Sequence, residues 1–313
     1  MLSRTADSLH WTARYLERAD FVARILDAAL RFRSLPSTYG SEGEEWESAV
    51  AVAGYASDFR NRYGRADERS VIQFLAFDRD NPSSIHSCLT AARANARAVR
   101  TALTGEMWED INSAWNELQR FDGARMNREA LATFLEWVKR VSLVFDGGAY
   151  RTMLRNDSYW FLRLGVSLER ADNTARILDV KYHLLLPERE PVGGGLDYFQ
   201  WTTILREVQA LTAFHWVYRD SVKPWLVADL LILNRQMPRS LASCCGETVR
   251  RLDQLASYYG RRGPAQRLAS SIQTKLESQR IDDIFQSGLH EFISGFLRDN
   301  AQLGAAISDQ YLA

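Results

Sequence analysis

Two short stretches of this 313-residue chain set carboxylates and guanidinium groups at helical spacing. Leu16-Glu17-Arg18-Ala19-Asp20 runs on to Ala23-Arg24-Ile25-Leu26-Asp27, and the order returns as Leu168-Glu169-Arg170-Ala171-Asp172 and Ala175-Arg176-Ile177-Leu178-Asp179. On a helix, Asp20 can bond Arg24 four residues on, and Asp172 can bond Arg176. Glu17 lies on the same stripe, and Ala19 and Ala23 are small enough for a second helix to approach and partly bury the charges. A carboxylate buried without a partner is costly, so each copy should receive an arginine from the other, with the two helices crossing near a pseudo-two-fold axis. Buried charge networks are more often architectural than catalytic, so the first reading is an ion-pair network that fixes how the copies dock. The chemical reading is a polar pocket with Glu17 and Glu169 as acid, base or ligand groups and Arg14, Tyr15, Arg18, Arg24, Arg170 and Arg176 binding a substrate carboxylate. Because Arg14 and Tyr15 align with Val166 and Ser167, such a site would be asymmetric.

A second repeated motif suggests a helix start. Asp80 or Asn81 can cap a helix opened by Pro82, which places Ser83 and Ser84 among free backbone N–H groups. Pro238 and Ser240 repeat the pattern, and Arg79 and Arg235 stand just before. Capping with a local salt bridge explains these residues best, while a helix N-terminus beside an arginine could also take a carboxylate or phosphate. Arg93, Asn95, Arg97 and Arg100 add a basic run that reads as a solvated face or a dock for an acidic partner.

Other chemistries find little support. Asp7-Ser8-Leu9-His10 is a weak substitute for the Glu-x-x-His pairs of a helical di-iron site. The histidines do not stand at ligand spacing from cysteines or carboxylates, so no metal is expected. No phosphate-binding loop follows a strand, Gly193-Gly194-Gly195 reads as a flexible connector, and no cofactor is implied. Cys88, Cys244 and Cys245 suit small buried apolar positions, and the tryptophans suit core filler.

The elements that must carry these groups are helices. Apolar residues recur at three and four, as in Leu9, Leu16, Ala19, Ala23, Leu26 and Leu30, and no sustained alternation of period two occurs. Breaks at Ser34–Gly43, Tyr63–Asp67, Asp78–Pro82, Leu103–Glu106, Phe121–Arg125, Arg155–Asp157, Pro187–Gly195, Arg219–Lys223, Gln236–Arg239 and Gly260–Pro264 leave about a dozen helical segments. The repeat extends past the first motif. Leu16–Asp27 and Leu168–Asp179 share ten of twelve residues at an offset of 152; Trp46 and Tyr63 match Trp201 and Tyr218 at 155; Phe74–Cys88 matches Leu230–Cys244 at 156. A smoothly growing offset is what short insertions in a duplicated gene produce. The expected fold is all-α, a tandem duplication of two roughly six-helix halves, 1–154 and 155–313, packed into one bundle-like body.

Composition narrows the partners. Acidic and basic residues balance at 39 each, which speaks against nucleic acid or a lipid surface. Only four of the basic residues are lysine, and arginine's planar fork suits bidentate, partly buried ion pairs. Apolar runs such as Leu226–Leu233 are too short for a bilayer, and the N-terminus lacks an apolar leader, so a cytoplasmic location is expected.

At Trp11, Arg14-Tyr15-Leu16-Glu17-Arg18-Ala19, Asn81-Pro82-Ser83-Ser84-Ile85, Ala92-Arg93-Ala94-Asn95-Ala96-Arg97, Thr152-Met153, Trp160-Phe161-Leu162, Leu168-Glu169-Arg170-Ala171-Asp172 and Pro238-Arg239-Ser240, the chain resembles the bacterial alpha-E family over essentially its whole length. Ala94 stands where a glutamate is expected and His10 where an aromatic is usual. The resemblance implies a partner more than a reaction: alpha-E genes typically neighbour a circularly permuted ATP-grasp protein and a transglutaminase-like peptidase, and some members are fused to the ATP-grasp domain. ATP-grasp enzymes join a carboxylate to an amine through an acyl phosphate. The leading expectation is a helical accessory protein of such a ligase in peptide or amide synthesis. The alternatives are an enzyme acting on a peptide, amide or carboxylate at a Glu-Arg cleft between the halves, and a self-associating structural protein.

Overall fold

The computed structural model describes residues 1–33, 43–123, 126–183 and 194–313, and among them the regular structure is helical throughout. The first part of the chain forms α1 (Ser3–Arg33), α2 (Glu44–Ala53), α3 (Ala56–Tyr63), α4 (Glu68–Ile72), α5 (Ile85–Ala98), α6 (Gly105–Leu118) and α7 (Arg128–Thr152). The second forms α8 (Asp157–His183), α9 (Gly195–Glu207), α10 (Leu211–Tyr218), α11 (Pro224–Ile232), α12 (Leu241–Tyr259), α13 (Pro264–Ser278), α14 (Ile281–Ser287) and α15 (Leu289–Ile307). Single π-helical turns follow α4 at Gln73–Phe77 and α15 at Ser308–Leu312. No helix among the described residues is long and apolar enough to cross a membrane.

The expected dozen segments are therefore fifteen helices among the described residues, seven before the turn at residues 153–156 and eight after it. Extra breaks come where the backbone enters the left-handed region without a proline signal, at Gly54 (φ 85), Gln209 (φ 56) and Gly288 (φ 97). The breaks at 34–42 and 187–193, and Gly193 of the glycine run, lie outside the described residues; Gly194 and Gly195 start α9.

The centre of the molecule is the pair α1 and α8, the two helices that carry the Glu-Arg repeats. Residues 19–26 of α1 are buried on every side, as a helix must be when it is wrapped by others. α5 and α7 pack on α1, α12 and α15 pack on α8, and α2 and α9 lie against both. Close approach depends on Gly165 of α8, where a Cβ would collide with the His10 carbonyl oxygen and stand 3.1 Å from Ala13 Cβ. Around this axis a single apolar core draws on residues from both parts of the chain.

Residues of the later repeat blocks make similar local contacts. Trp46 on α2 and Trp201 on α9 are both buried. Cys88 on α5 reaches the Pro82 carbonyl at 3.8 Å, and Cys244 on α12 reaches that of Pro238 at 3.7 Å. The expected capping is shifted by one turn. Neither Asp80 nor Asn81 caps and Pro82 does not open the helix; the cap is Ser84, whose Oγ accepts the Ser87 N–H at 3.1 Å. Ser240 does the same for α12, accepting from Ser243 at 3.0 Å. Asn81 instead braces the turn before the cap: its side chain donates to the Phe74 carbonyl at 2.9 Å and accepts the Ser83 N–H at 3.0 Å.

Candidate functional site

Helical periodicity puts Glu17, Asp20 and Arg24 on one face of α1, and Glu169, Asp172 and Arg176 on one face of α8. The crossing of those faces completes two ion-pair centres, each using the other helix's arginine. Glu17 accepts from Arg170, and Glu169 accepts from Arg18 through Nε at 2.7 Å and a terminal nitrogen at 3.2 Å. Within each helix the i,i+4 pairs form, Arg24 Nε to Asp20 at 2.8 Å and Arg176 Nε to Asp172 at 2.6 Å. Asn173 of α8 also ties the pair together, donating to the Glu17 carbonyl at 3.1 Å.

The centres differ in their third arginine. Glu169 takes Arg14, one turn before Arg18 on α1, at 2.7 Å. Glu17 takes Arg239, from the turn before α12, at 3.8 Å, and the same guanidinium reaches Asp20 at 3.1 Å. Arg170 is steadied further by Asp146 of α7 at 3.6 Å. Arg24 spends its remaining nitrogens on Asp20 and on the Glu207 backbone carbonyl.

The electrostatics follow from these partners. Burial opposes ionisation of Glu169, yet Arg18 and Arg14 outweigh it and hold the carboxyl down to about 2. The same contest leaves Asp20 below the usual carboxylate range, because Arg239 and Arg24 both face it. Asp172 goes the opposite way: burial raises it, Arg176 offsets this only in part, and the Glu169 charge adds to the rise. Burial pushes the Cys88 and Cys244 thiols up to about 12, so neither is a thiolate nucleophile. Burial and nearby Arg14 bring His10 down to about 3, which keeps it neutral.

A cavity of about 100 Å³ opens beside the Glu169 centre. Arg18, Tyr55, Ser83, Glu169, Asp172 and Arg176 give it polar walls, and Phe21, Val22 and Leu75 apolar ones. Tyr55 and Ser83 bond through their hydroxyls, and Arg18 approaches Ser83 Oγ at 3.5 Å. Of the residues named from sequence, the cavity thus gathers Arg18, Glu169 and Arg176. Arg14 and Tyr15 stand outside its wall: Arg14 lies 4.7 Å over Trp11, and Arg18 5.8 Å from the centre of the Tyr15 ring. Glu17, Arg24 and Arg170 belong to the other centre.

The remaining sequence candidates are apart from both. Ser84 and Ser240 are fully buried and used as caps. Arg79 is exposed, and Arg235, 66% exposed, pairs with Glu277 at 2.9 Å. In the basic run, Arg93 bonds Asn112 at 2.9 Å and stacks 4.2 Å over Trp115, while Arg97 and Arg100 are exposed. Among the described residues, no group of three or more His, Cys, Asp and Glu side chains could hold a metal ion.

Sequence reasoning missed Arg239, Asp146, Tyr55 and the lining role of Ser83. One signal was present: the offset of 156 that aligns Cys88 with Cys244 sets Ser83 against Arg239, a gain of charge between the repeated Pro82/Pro238 and Ser84/Ser240. Asp146 and Tyr55 had no such marker, because nothing local ties them to the Glu-Arg helices.

The chain matches, over residues 1–312, a family described as a predicted alpha-helical domain with a conserved ER motif. It is 24% identical over 326 aligned positions to an uncharacterised protein of Mycobacterium bovis and, to the same degree, to one of Mycobacterium tuberculosis. In each case the match covers 96% of this chain and 36% of the relative, so the chain spans about a third of the length of these relatives. No solved structure matches it.

Proposed function

This chain belongs to the Alpha-E family, and on that footing we propose that it is a non-catalytic helical partner of an ATP-grasp-type carboxylate–amine ligase, acting in ATP-dependent peptide or amide synthesis. The observation that carries this reading is the state of the two glutamates. Both are 2% exposed and both are held by arginines. A general acid or base works best with a pKa near the operating pH; Glu169, at about 2, stays ionised and cannot shuttle a proton at neutral pH. The centres therefore serve to lock α1 against α8 and so to set the shape of the surface offered to a partner. The relatives add support: about two thirds of their length lies outside the match, so there the helical domain is covalently joined to further sequence. A transglutaminase-like peptidase is the second partner that the family resemblance implies.

Co-expression with the cognate ligase, followed by size-exclusion chromatography and a ligase assay, tests the proposal. The expected result is co-elution and a ligase rate that changes when this protein is withheld. Separate elution together with an unchanged rate overturns it. Glu17→Gln and Glu169→Gln separate this from catalysis: as partner variants they lose ligase stimulation only in step with their melting temperature, whereas a catalytic glutamate would lose activity in a fold that melts normally.

A further inference from the structure

The Glu169 centre takes its third arginine, Arg14, from α1 itself, whereas the Glu17 centre takes Arg239 from the turn before α12, and the turn that matches Arg239 on the Glu169 side carries a serine beside a cavity. Arg239 sends its guanidinium to Asp20 at 3.1 Å and toward Glu17 at 3.8 Å. Its aligned counterpart is Ser83, whose short side chain stops at the Tyr55 hydroxyl. Between Ser83 and Asp172 lies the cavity of about 100 Å³. We propose that this cavity receives the cationic end of a small ligand, a guanidinium or primary ammonium group, which Asp172 holds as Asp20 holds Arg239.

The cavity offers two free acceptor oxygens, beside the terminal nitrogens of Arg176, which make no hydrogen bond among the described residues. Glu169 is already taken, one oxygen by Arg18 and the other by Arg14 and Arg18. Asp172 uses one oxygen for Arg176 Nε, at 2.6 Å, and its second oxygen accepts no hydrogen bond among the described residues. Asn173, 4% exposed and lining the cavity, donates its amide to the Glu17 carbonyl, which leaves its own carbonyl oxygen without a donor. These two oxygens are acceptors only, and a guanidinium or ammonium is a donor only. Neither oxygen is sealed from solvent, and a cationic donor that reaches both gains a charge-assisted hydrogen bond to Asp172 and a second bond to Asn173.

Size and wall chemistry agree. One water needs about 10–15 Å³ of such space, so the cavity admits a group of several heavy atoms but not a nucleotide. Phe21, Val22 and Leu75 line the remaining wall and suit the methylene stem that carries such a head group. The contrast between the two aspartates also fits: Asp20, with Arg239 in place, is held down, whereas Asp172, with no equivalent cation, is pushed up by burial. The inference does not depend on the partner reading, since a ligand site here is compatible with any role of the surface.

The test is calorimetric titration and thermal melting of the full chain with agmatine, with an acetylated, amidated Gly-Arg-Gly peptide, and with tetramethylammonium at matched ionic strength. Agmatine or the peptide should bind saturably and raise the melting temperature. Agmatine alone points to a free amine or guanidine, and the peptide alone to an arginine side chain. Tetramethylammonium, which cannot donate hydrogen bonds, should do neither. Asp172→Asn should weaken binding at least tenfold. Ser83→Arg, which fills the cavity with the protein's own guanidinium, should melt higher without ligand and lose the response; either variant serves if the other does not fold, as judged by circular dichroism. Absence of binding by both probes, an equal response to tetramethylammonium, or undiminished binding in a folded variant overturns the proposal.

Discussion

Replacing Glu169 by glutamine removes the one carboxylate that Arg14 and Arg18 share. Both guanidinium groups bond Glu169, and neither has another carboxylate within ion-pair distance among the described residues. Breaking a buried pair from one side costs about 3–5 kcal/mol. The Arg14 and Arg18 side chains keep 18% and 22% of their exposure, so water can partly reclaim them, and the expected loss sits at the lower end, about 3 kcal/mol. The downward shift of Glu169, which the same two arginines cause, is of similar size. Lowering it from 4.5 to about 2 corresponds, at about 1.4 kcal/mol per pH unit, to about 3 kcal/mol. Because the folded-state value is depressed, that stability is complete above about pH 4.5 and fades as pH falls toward 2. Glu17→Gln makes the contrast, since Arg170 retains Asp146 at 3.6 Å and Arg239 retains Asp20 at 3.1 Å. It removes charge-assisted hydrogen bonds but strands no arginine, and should cost about 1.5 kcal/mol. Urea unfolding of the wild type and both variants at pH 7, followed by circular dichroism, measures the two losses. At pH 3 the gap between the wild type and Glu169→Gln should be clearly smaller. A Glu17→Gln loss that equals or exceeds that of Glu169→Gln would refute the reasoning, as would a Glu169→Gln loss under about 1 kcal/mol, the scale of an exposed pair.

Three other predictions follow from single residues. Glu207 is 4% exposed, and burial together with the Asp27 charge pushes it up to about 7 despite Lys139, Arg31 and Arg24. Its contribution is complete below about pH 4.5 and is lost as pH rises through about 7, a fall of about 3 kcal/mol that Glu207→Gln should abolish in urea titrations across that window. Gly165→Ala forces a Cβ into the His10 carbonyl at the α1–α8 crossing, so α8 must shift, at about 1–3 kcal/mol; a melting temperature equal to wild type would show that the helices do not pack this closely. Cys88, Cys244 and Cys245 are free and buried, so a thiol reagent at pH 8 should modify none of them in the folded protein and all three in urea, and rapid labelling of the native protein would contradict their placement.

Much of the site was legible in one dimension. Four-residue spacing pairs Asp20 with Arg24 and Asp172 with Arg176, and those bonds form. The repeated Glu-Arg dipeptide, with small alanines beside it, led to the expectation that each helix lends the other an arginine, and Arg18 on Glu169 and Arg170 on Glu17 are that exchange. Helical period and proline or glycine breaks located most elements, while the turns at Gln209 and Gly288 escaped because neither interrupts the apolar pattern with a proline.

Sequence alone determined the helical class, the two motif helices and the groups that share a face on each, because these depend only on neighbours a few residues apart and on the 3.6-residue turn. Tertiary structure decided which distant groups close each centre. Arg239 meets Asp20 from 219 positions away, Asp146 arrives with α7, and Tyr55 and Ser83 leave a cavity where the other centre has an arginine. Such meetings depend on how helices cross and how turns fold back, and spacing along the chain carries no record of that. Whether a buried carboxylate is held at about 2 or raised is settled by how burial and neighbouring carboxylates weigh against the cations that packing delivers to it.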